Sequence, residues 1–342
     1  MSESTRIWSP IDFNKDGKQT DCLRLPISTD SSAYGWIPIP AVCIRNGEGP
    51  TAVLIAGTHG DEYEGQVALM RLARSLNPHD ISGRVIILPS LNFPAVEAGR
   101  RVSSIDEGNL NRLYPGRAHG TATQMIAHYV TEVLLPMADL VVDLHSGGRS
   151  LGYIQCGLIR PGKTAQLHEK LLELLHVFGA PIGYLTDGSG GGGNTTLPAT
   201  AEQFDVPVIT AELGGGATFE GSGADLAVNG VLRLLKHIGV FPSCDVLEPG
   251  PVRLMDCSSR GLMVYADSDG LFEPYADVGE DVSRGQLAGL IHSIHKPCET
   301  PQEIRFAESG LVECRRFPTL VRRGDCLFCL LQDIKTGETR AE

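Results

Sequence analysis

Apolar and polar positions change their period along this chain, and the changes mark its elements. Thr51–Ala56 (T-A-V-L-I-A) is an unbroken apolar run of strand length that ends in glycine. Leu69, Leu72, Ala73 and Leu76 then fall on one face at helical spacing. R-V-I-I-L-P-S-L predicts a second strand, Ile126, Tyr129, Val130, Val133 and Leu134 a second helix, and D-L-V-V-D-L-H a third strand. A helix through Leu167, Leu171, Leu174, Leu175 and Phe178, the strand P-V-I-T-A-E, and a helix through Val228, Val231, Leu232, Leu235 and Ile238 complete the region. Apolar strands interleaved with amphipathic helices predict an α/β fold, a mainly parallel or mixed sheet flanked by helices.

After about residue 245 the helical period stops. Short β-like runs separated by S-D-G, E-S-G and R-G-D turns predict a smaller all-β domain. The expected division is 1–244, with residues 1–48 packing on that unit, and 245–342. The run G-S-G-G-G-G-N (Gly188 to Asn194) is expected to be a mobile loop.

Composition narrows the picture. With 342 residues, 42% hydrophobic and 20% charged, the chain can bury a core without covalent staples. A net charge of −12 disfavours nucleic acid and anionic membranes as partners, because both require a basic face. The N-terminal residues hold no apolar run of signal-peptide length, and V-L-L-P-M-A-D-L-V-V-D-L is broken by Pro136, Asp139 and Asp143. A cytoplasmic protein is expected. Nine cysteines without framework spacing predict free thiols, and the pair Cys326 and Cys329 in C-L-F-C-L-L predicts a buried strand rather than a zinc site.

The candidate chemistry gathers at strand ends. The first strand runs into G-T-H-G-D-E, where one helical turn would bring His59 and Glu62 together as metal ligands; Asp61 is the alternative to Glu62. His145 ends the third strand, on the edge where open parallel sheets bind ligands. Two imidazoles and a carboxylate make a catalytic zinc set with a fourth position for water. Asp143, two residues before His145, points to the same face and would orient a histidine ligand. Glu212 ends its strand before a Gly-Gly-Gly turn and is the candidate general base. In the loop G-R-R-V-S-S-I-D-E-G-N-L-N-R-L-Y-P-G, Asn111 and Arg112 offer a fork of donors for a carboxylate, and Arg101 is a candidate for stabilising an oxyanion.

Taken in order, H-G-D-E, N-L-N-R-x-Y-P-G, D-L-H-S and A-E-x-G-G resemble the succinylglutamate desuccinylase and aspartoacylase family, a branch of the zinc carboxypeptidase-like fold. The resemblance covers roughly residues 50 to 240, with an appended β domain. It implies one zinc ion on His59, Glu62 and His145, Glu212 as base, and Asn111 with Arg112 on the substrate carboxylate. One departure concerns Arg101: the family's oxyanion arginine lies closer to the I-D dipeptide, where this chain has Ser103 and Ser104.

For the substrate, residues 171 to 232 contain no Lys or Arg but include Asp187, Glu202, Asp205, Glu212, Glu220 and Asp225. This disfavours an acidic side chain and favours a side-chain ammonium, with Glu202 as the carboxylate expected to meet it. As a whole the chain is similar to the N-acetyl-diaminobutyrate deacetylases of ectoine degradation. The alternatives are a deacylase of the N-acetylaspartate or succinylglutamate type, a metallocarboxypeptidase, or a non-enzymatic metal-bound scaffold whose β domain carries a group at Lys296. The expected partner is a small N-acyl amino acid, and a homo-oligomer stays open.

Overall fold

The computed structural model describes residues 4–188, 192–257 and 260–334, so the central glycines of the run Gly188 to Asn194 lie outside the described residues. A long antiparallel hairpin opens the chain, β1 (Gly17–Thr29) and β2 (Ser32–Asn46). Then come β3 (Thr51–Ala56), α1 (Glu64–Ser75), β4 (Gly83–Leu88), α2 (Phe93–Ala98) and α3 (Ala122–Tyr129). β5 (Leu140–His145), β6 (Leu151–Tyr153), β7 (Cys156–Ile159), α4 (Ala165–Phe178) and β8 (Ile182–Leu185) follow. α5 (Leu197–Ala201), β9 (Val208–Glu212) and α6 (Gly221–His237) lead into the C-terminal strands β10 (Arg253–Asp256), β11 (Met263–Tyr265), β12 (Gly270–Pro274), β13 (Asp281–Val282), β14 (Leu287–His292), β15 (Gln302–Arg305), β16 (Gly310–Arg316), β17 (Leu320–Val321) and β18 (Cys326–Asp333).

Among the described residues one sheet holds fourteen strands, in the order β1-β2-β4-β3-β5-β9-β7-β8-β10-β18-β16-β13, with β11 on β18 and β6 on β16. β4, β3, β5 and β9 run parallel, and so do β7, β8 and β10, but β7 meets β9 antiparallel. This is a mixed α/β fold. Every residue of β3 is buried, and its side chains alternate between two cores. Ala52, Leu54 and Ala56 pack with Leu69 and Leu72 of α1, Leu171 and Leu175 of α4 and Val231 and Leu235 of α6. Val53 and Ile55 pack on the other side with Ile126, Val130 and the N-terminal Ile7 and Ile11. That double cover is why the strand sequence is continuously apolar.

Past residue 245, β15-β14-β12-β17 form a separate four-stranded antiparallel sheet. Its core includes Phe272 and Phe306, whose rings lie 5.7 Å and 5.2 Å from that of Phe328. The other C-terminal strands extend the large sheet: β10 pairs β8 in parallel, and Cys314 of β16 pairs Tyr153 of β6. Cys156, Tyr184, Met255 and Leu331 form one cluster from both parts of the chain. Cys326 and Cys329 lie on β18. Among the described residues no helix is long and apolar enough to cross a membrane.

Candidate active site

The carboxyl ends of β3, β5 and β9 lie side by side, with His145 and Glu212 as direct partners in the β5–β9 register. His59 and Glu62 do not sit on a helical turn, because α1 starts only at Glu64; they occupy the non-helical turn between β3 and α1. Gly60 allows that turn to press on α2, its amide donating to the Arg100 carbonyl at 2.8 Å. Asp61 faces elsewhere, accepting from the Arg149 amide at 3.0 Å.

Glu62 stands between the two imidazoles. Its Oε1 is 2.7 Å from His59 Nδ1, and its Oε2 is 2.9 Å from His145 Nδ1. One donor atom from each of His59, Glu62 and His145 lies within 4.8 Å of the others, and all three side chains are buried. The far nitrogens of the rings are held by oxygens: His145 Nε2 by Asp143 Oδ2 at 3.0 Å, and His59 Nε2 by Asn109 Oδ1 at 3.1 Å. In the tautomer with each Nε2 carrying the proton for those contacts, both Nδ1 lone pairs face the shared centre, where a cation would take them. That arrangement fits a divalent cation, and zinc in particular suits two imidazoles and a carboxylate. Burial opposes ionisation of Glu62, but the flanking histidines outweigh it and hold the carboxyl well below its usual range.

Glu212 is placed differently. Among the described residues its Oε2 is buried without a hydrogen-bond partner. Burial, then the Glu62 charge, pushes its carboxyl up to about 8. A cation on the neighbouring donor set would oppose that rise. Glu212 therefore combines high basicity with an uncommitted oxygen, as a general base requires.

A cavity of about 500 Å³ opens over these residues, and Arg101, Asn111, Arg112 and Arg160 line it. Arg101 Nη1 lies 3.3 Å from His59 Nδ1 and 3.4 Å from Glu62 Oε1. Arg112 donates to the Asn111 carbonyl at 2.8 Å, and burial together with the Arg101 charge lowers its pKa. Asn111 accepts from the Leu197 amide through Oδ1 at 3.1 Å, which leaves its NH2 group for the cavity.

Glu202 is not part of this lining. It follows α5 in the turn Glu202–Phe204, beside a separate small pocket, with Oε2 at 3.9 Å from Arg160 Nε. The lack of cations in residues 171 to 232 does not extend to the cavity, because Arg160, just past β7, enters it. Its guanidinium is partly engaged, donating to the Gly193 carbonyl and Asn194 Oδ1 at 3.0 Å each. Sequence reasoning passed over Arg160, which ends the run C-G-L-I-R, and Asn109, two positions before Asn111. It also passed over Glu313 of β16, which lines the cavity from the C-terminal strands.

Residues 48–238 match the catalytic domain of the succinylglutamate desuccinylase/aspartoacylase family. An N-alpha-acetyl-L-2,4-diaminobutyric acid deacetylase from Halomonas elongata is 37% identical over 337 residues, 96% of each chain. The product-bound structure of the ectoine utilization protein EutE (DoeB) from Ruegeria pomeroyi is 36% identical, with a TM-score of 0.91, covering 96% of this chain and 99% of that one. A succinylglutamate desuccinylase/aspartoacylase structure from Rhodobacter sphaeroides is 35% identical, also with a TM-score of 0.91, covering 96% of this chain and 100% of that one. The chain belongs to the succinylglutamate desuccinylase/aspartoacylase family of deacylases.

Proposed function

We propose that the protein is a zinc-dependent deacetylase that hydrolyses N-alpha-acetyl-L-2,4-diaminobutyrate to 2,4-diaminobutyrate and acetate. The observation that carries the chemistry is one juxtaposition: the buried His59–Glu62–His145 donor set beside Glu212, one of whose oxygens has no partner among the described residues. The name of the Halomonas elongata relative, similar along nearly the whole chain, supports the choice of substrate.

His59, Glu62 and His145 would hold the zinc, which when bound supplies Lewis acidity toward water and toward an amide carbonyl. Arg112 and Asn111 bind the α-carboxylate and fix the acylated nitrogen in the cavity. Glu212 takes a proton from water as its oxygen bonds to the acyl carbon. The same carboxyl then gives that proton to the departing nitrogen as the C–N bond breaks, releasing acetate and the amine. Arg101, beside the donor set, faces the negative charge that develops on the acyl oxygen. A cytoplasmic setting, where thiols stay reduced, suits a chain of nine cysteines.

Arg160 gives one argument for an acidic substrate, since a second cation could receive a second carboxylate. Its engagement with Gly193, Asn194 and Glu202 weakens that argument. Acetate release from a panel of N-acetyl amino acids with zinc present decides the matter. The diaminobutyrate derivative should exceed N-acetylaspartate in kcat/KM by about a hundredfold, because a desolvated like-charge contact costs several kcal/mol. Equal values would remove the substrate assignment. Release of C-terminal residues from a peptide, with no acetate from any derivative, would replace deacylation by carboxypeptidase activity.

A further inference from the structure

Three of the described residues lining the cavity are carboxylates: Glu62, Glu212 and Glu313. The first faces the two histidines and the second is the base. Glu313 has no part in the chemistry, yet it is only 2% exposed. β16 fixes its backbone, with the carbonyl accepting from the Ile154 amide at 2.8 Å. Tyr184 and Cys329 line the same wall of the cavity, and among the described residues Oε1 is buried with no hydrogen-bond partner. Among the described residues it has no lysine or arginine partner.

A buried carboxylate on a cavity wall, with an oxygen left unpaired, calls for a cation. Burial alone pushes its carboxyl above the ordinary range, and a positive group against the open oxygen would oppose that shift. In an α-N-acylated diamino acid the α-nitrogen is an uncharged amide, so the side-chain ammonium is the substrate's one cation. We propose that Glu313 forms the subsite for the side-chain ammonium of the substrate, its open oxygen taking the cation at the wall built by β16 and β18. This rests on the deacylase reading above and gives it a determinant of selectivity, in the place where the sequence pointed to Glu202.

A rival occupant lies close by. The Cys257 and Cys329 sulfurs are 3.5 Å apart, and with Glu313 they offer three donor atoms within 4.8 Å of one another, a set that a soft metal ion could take. The test must separate the two.

The experiment compares the zinc-loaded parent with Glu313→Gln on N-α-acetyl-2,4-diaminobutyrate and on N-acetylnorvaline, whose side chain has the same length without the charge. The variant should lose about a hundredfold or more in kcat/KM on the charged substrate and stay within about threefold of the parent on the neutral one. Zinc content should remain the same. A parental ratio of the two substrates in the variant overturns the subsite alone. So does loss of a second equivalent of zinc with the ratio unchanged, which assigns Glu313 to a metal. A parent that cleaves acetylnorvaline but not the diamino substrate overturns both the subsite and the function on which it rests. If the variant proves unstable, inhibition of the parent answers the same question: free 2,4-diaminobutyrate should bind at least about tenfold more tightly than norvaline, and equal inhibition constants overturn the proposal.

Discussion

Glu212 and Asp143 lie within two strands of each other and should fail in opposite ways when changed. Glu212→Gln keeps the shape and the buried position but removes the proposed base, so kcat should fall about a hundredfold or more while bound zinc stays stoichiometric. A loss confined to KM would make Glu212 a binding residue. Asp143→Ala leaves the base alone but frees His145 Nε2 from the oxygen now at 3.0 Å. Metal affinity should then fall about 10- to 100-fold, as measured by competition with a chelator. Unaltered affinity would remove Asp143 from the centre. The placement of both was legible because each lies beside a glycine-rich strand end in a short motif. Asn109 and Glu313 were not, since their placement depends on contacts across the fold: Asn109 meets a ring 50 positions away, and Glu313 reaches the cavity on β16, which pairs β6. Glu202 was misread for the converse reason, since nearness in sequence to the β9 strand did not put it in the same cavity.

The elements that carry the site meet at close range, and glycine sets that range. A Cβ on Gly60 would stand 1.9 Å from the Ala95 carbonyl oxygen, and one on Gly65 would stand 2.6 Å from the Leu144 Cβ. The first contact is with backbone, so no side chain can yield. Gly60→Ala should push the turn bearing His59 and Glu62 away from α2, costing about 1–3 kcal/mol and lowering zinc content. Gly221, the first residue of α6, has open space at its Cβ, and Gly221→Ala should be neutral or slightly stabilising. Equal denaturation midpoints for the two variants would refute this account of the turn. The same elements show what patterning reveals. β3, β5 and β9 are covered on both faces and read as apolar runs, broken in β5 and β9 only by Asp143, His145, Thr210 and Glu212 toward the site. β1 and β2 do not: only some of their positions are buried, and Pro26, Pro38 and Pro40 punctuate them. Those prolines are tolerated because β1 is an edge strand, and Pro38 and Pro40 face β1 alone, before β2 begins pairing with β4 at Val42. β6, β7 and β8 are three or four residues long, too short for periodicity to mark.

For the molecule as a whole, the question is how far folding depends on the metal. Small zinc modules unfold without it because they have little else to bury. This chain has large apolar clusters on both faces of its sheet, and none needs a cation to form. The donor set also has partners of its own without a cation: Glu62 accepts from the Ser146 amide at 3.2 Å, and imidazoles protonated at Nδ1 can donate to its two oxygens. Chelation should therefore leave a folded protein with unchanged far-ultraviolet circular dichroism. It should nonetheless be less stable, because a ligand that binds only the native state adds RT ln(1 + [L]/Kd), about 4 kcal/mol at a thousandfold excess over Kd. Spread over a chain of 342 residues this is a rise in Tm of a few degrees, which zinc should restore in the chelated parent. In His145→Ala the response should be largely lost, because two remaining donors rarely hold zinc tightly. Loss of secondary structure on chelation would mean that the centre is structural, and an undiminished zinc response in His145→Ala would mean that the ion binds elsewhere.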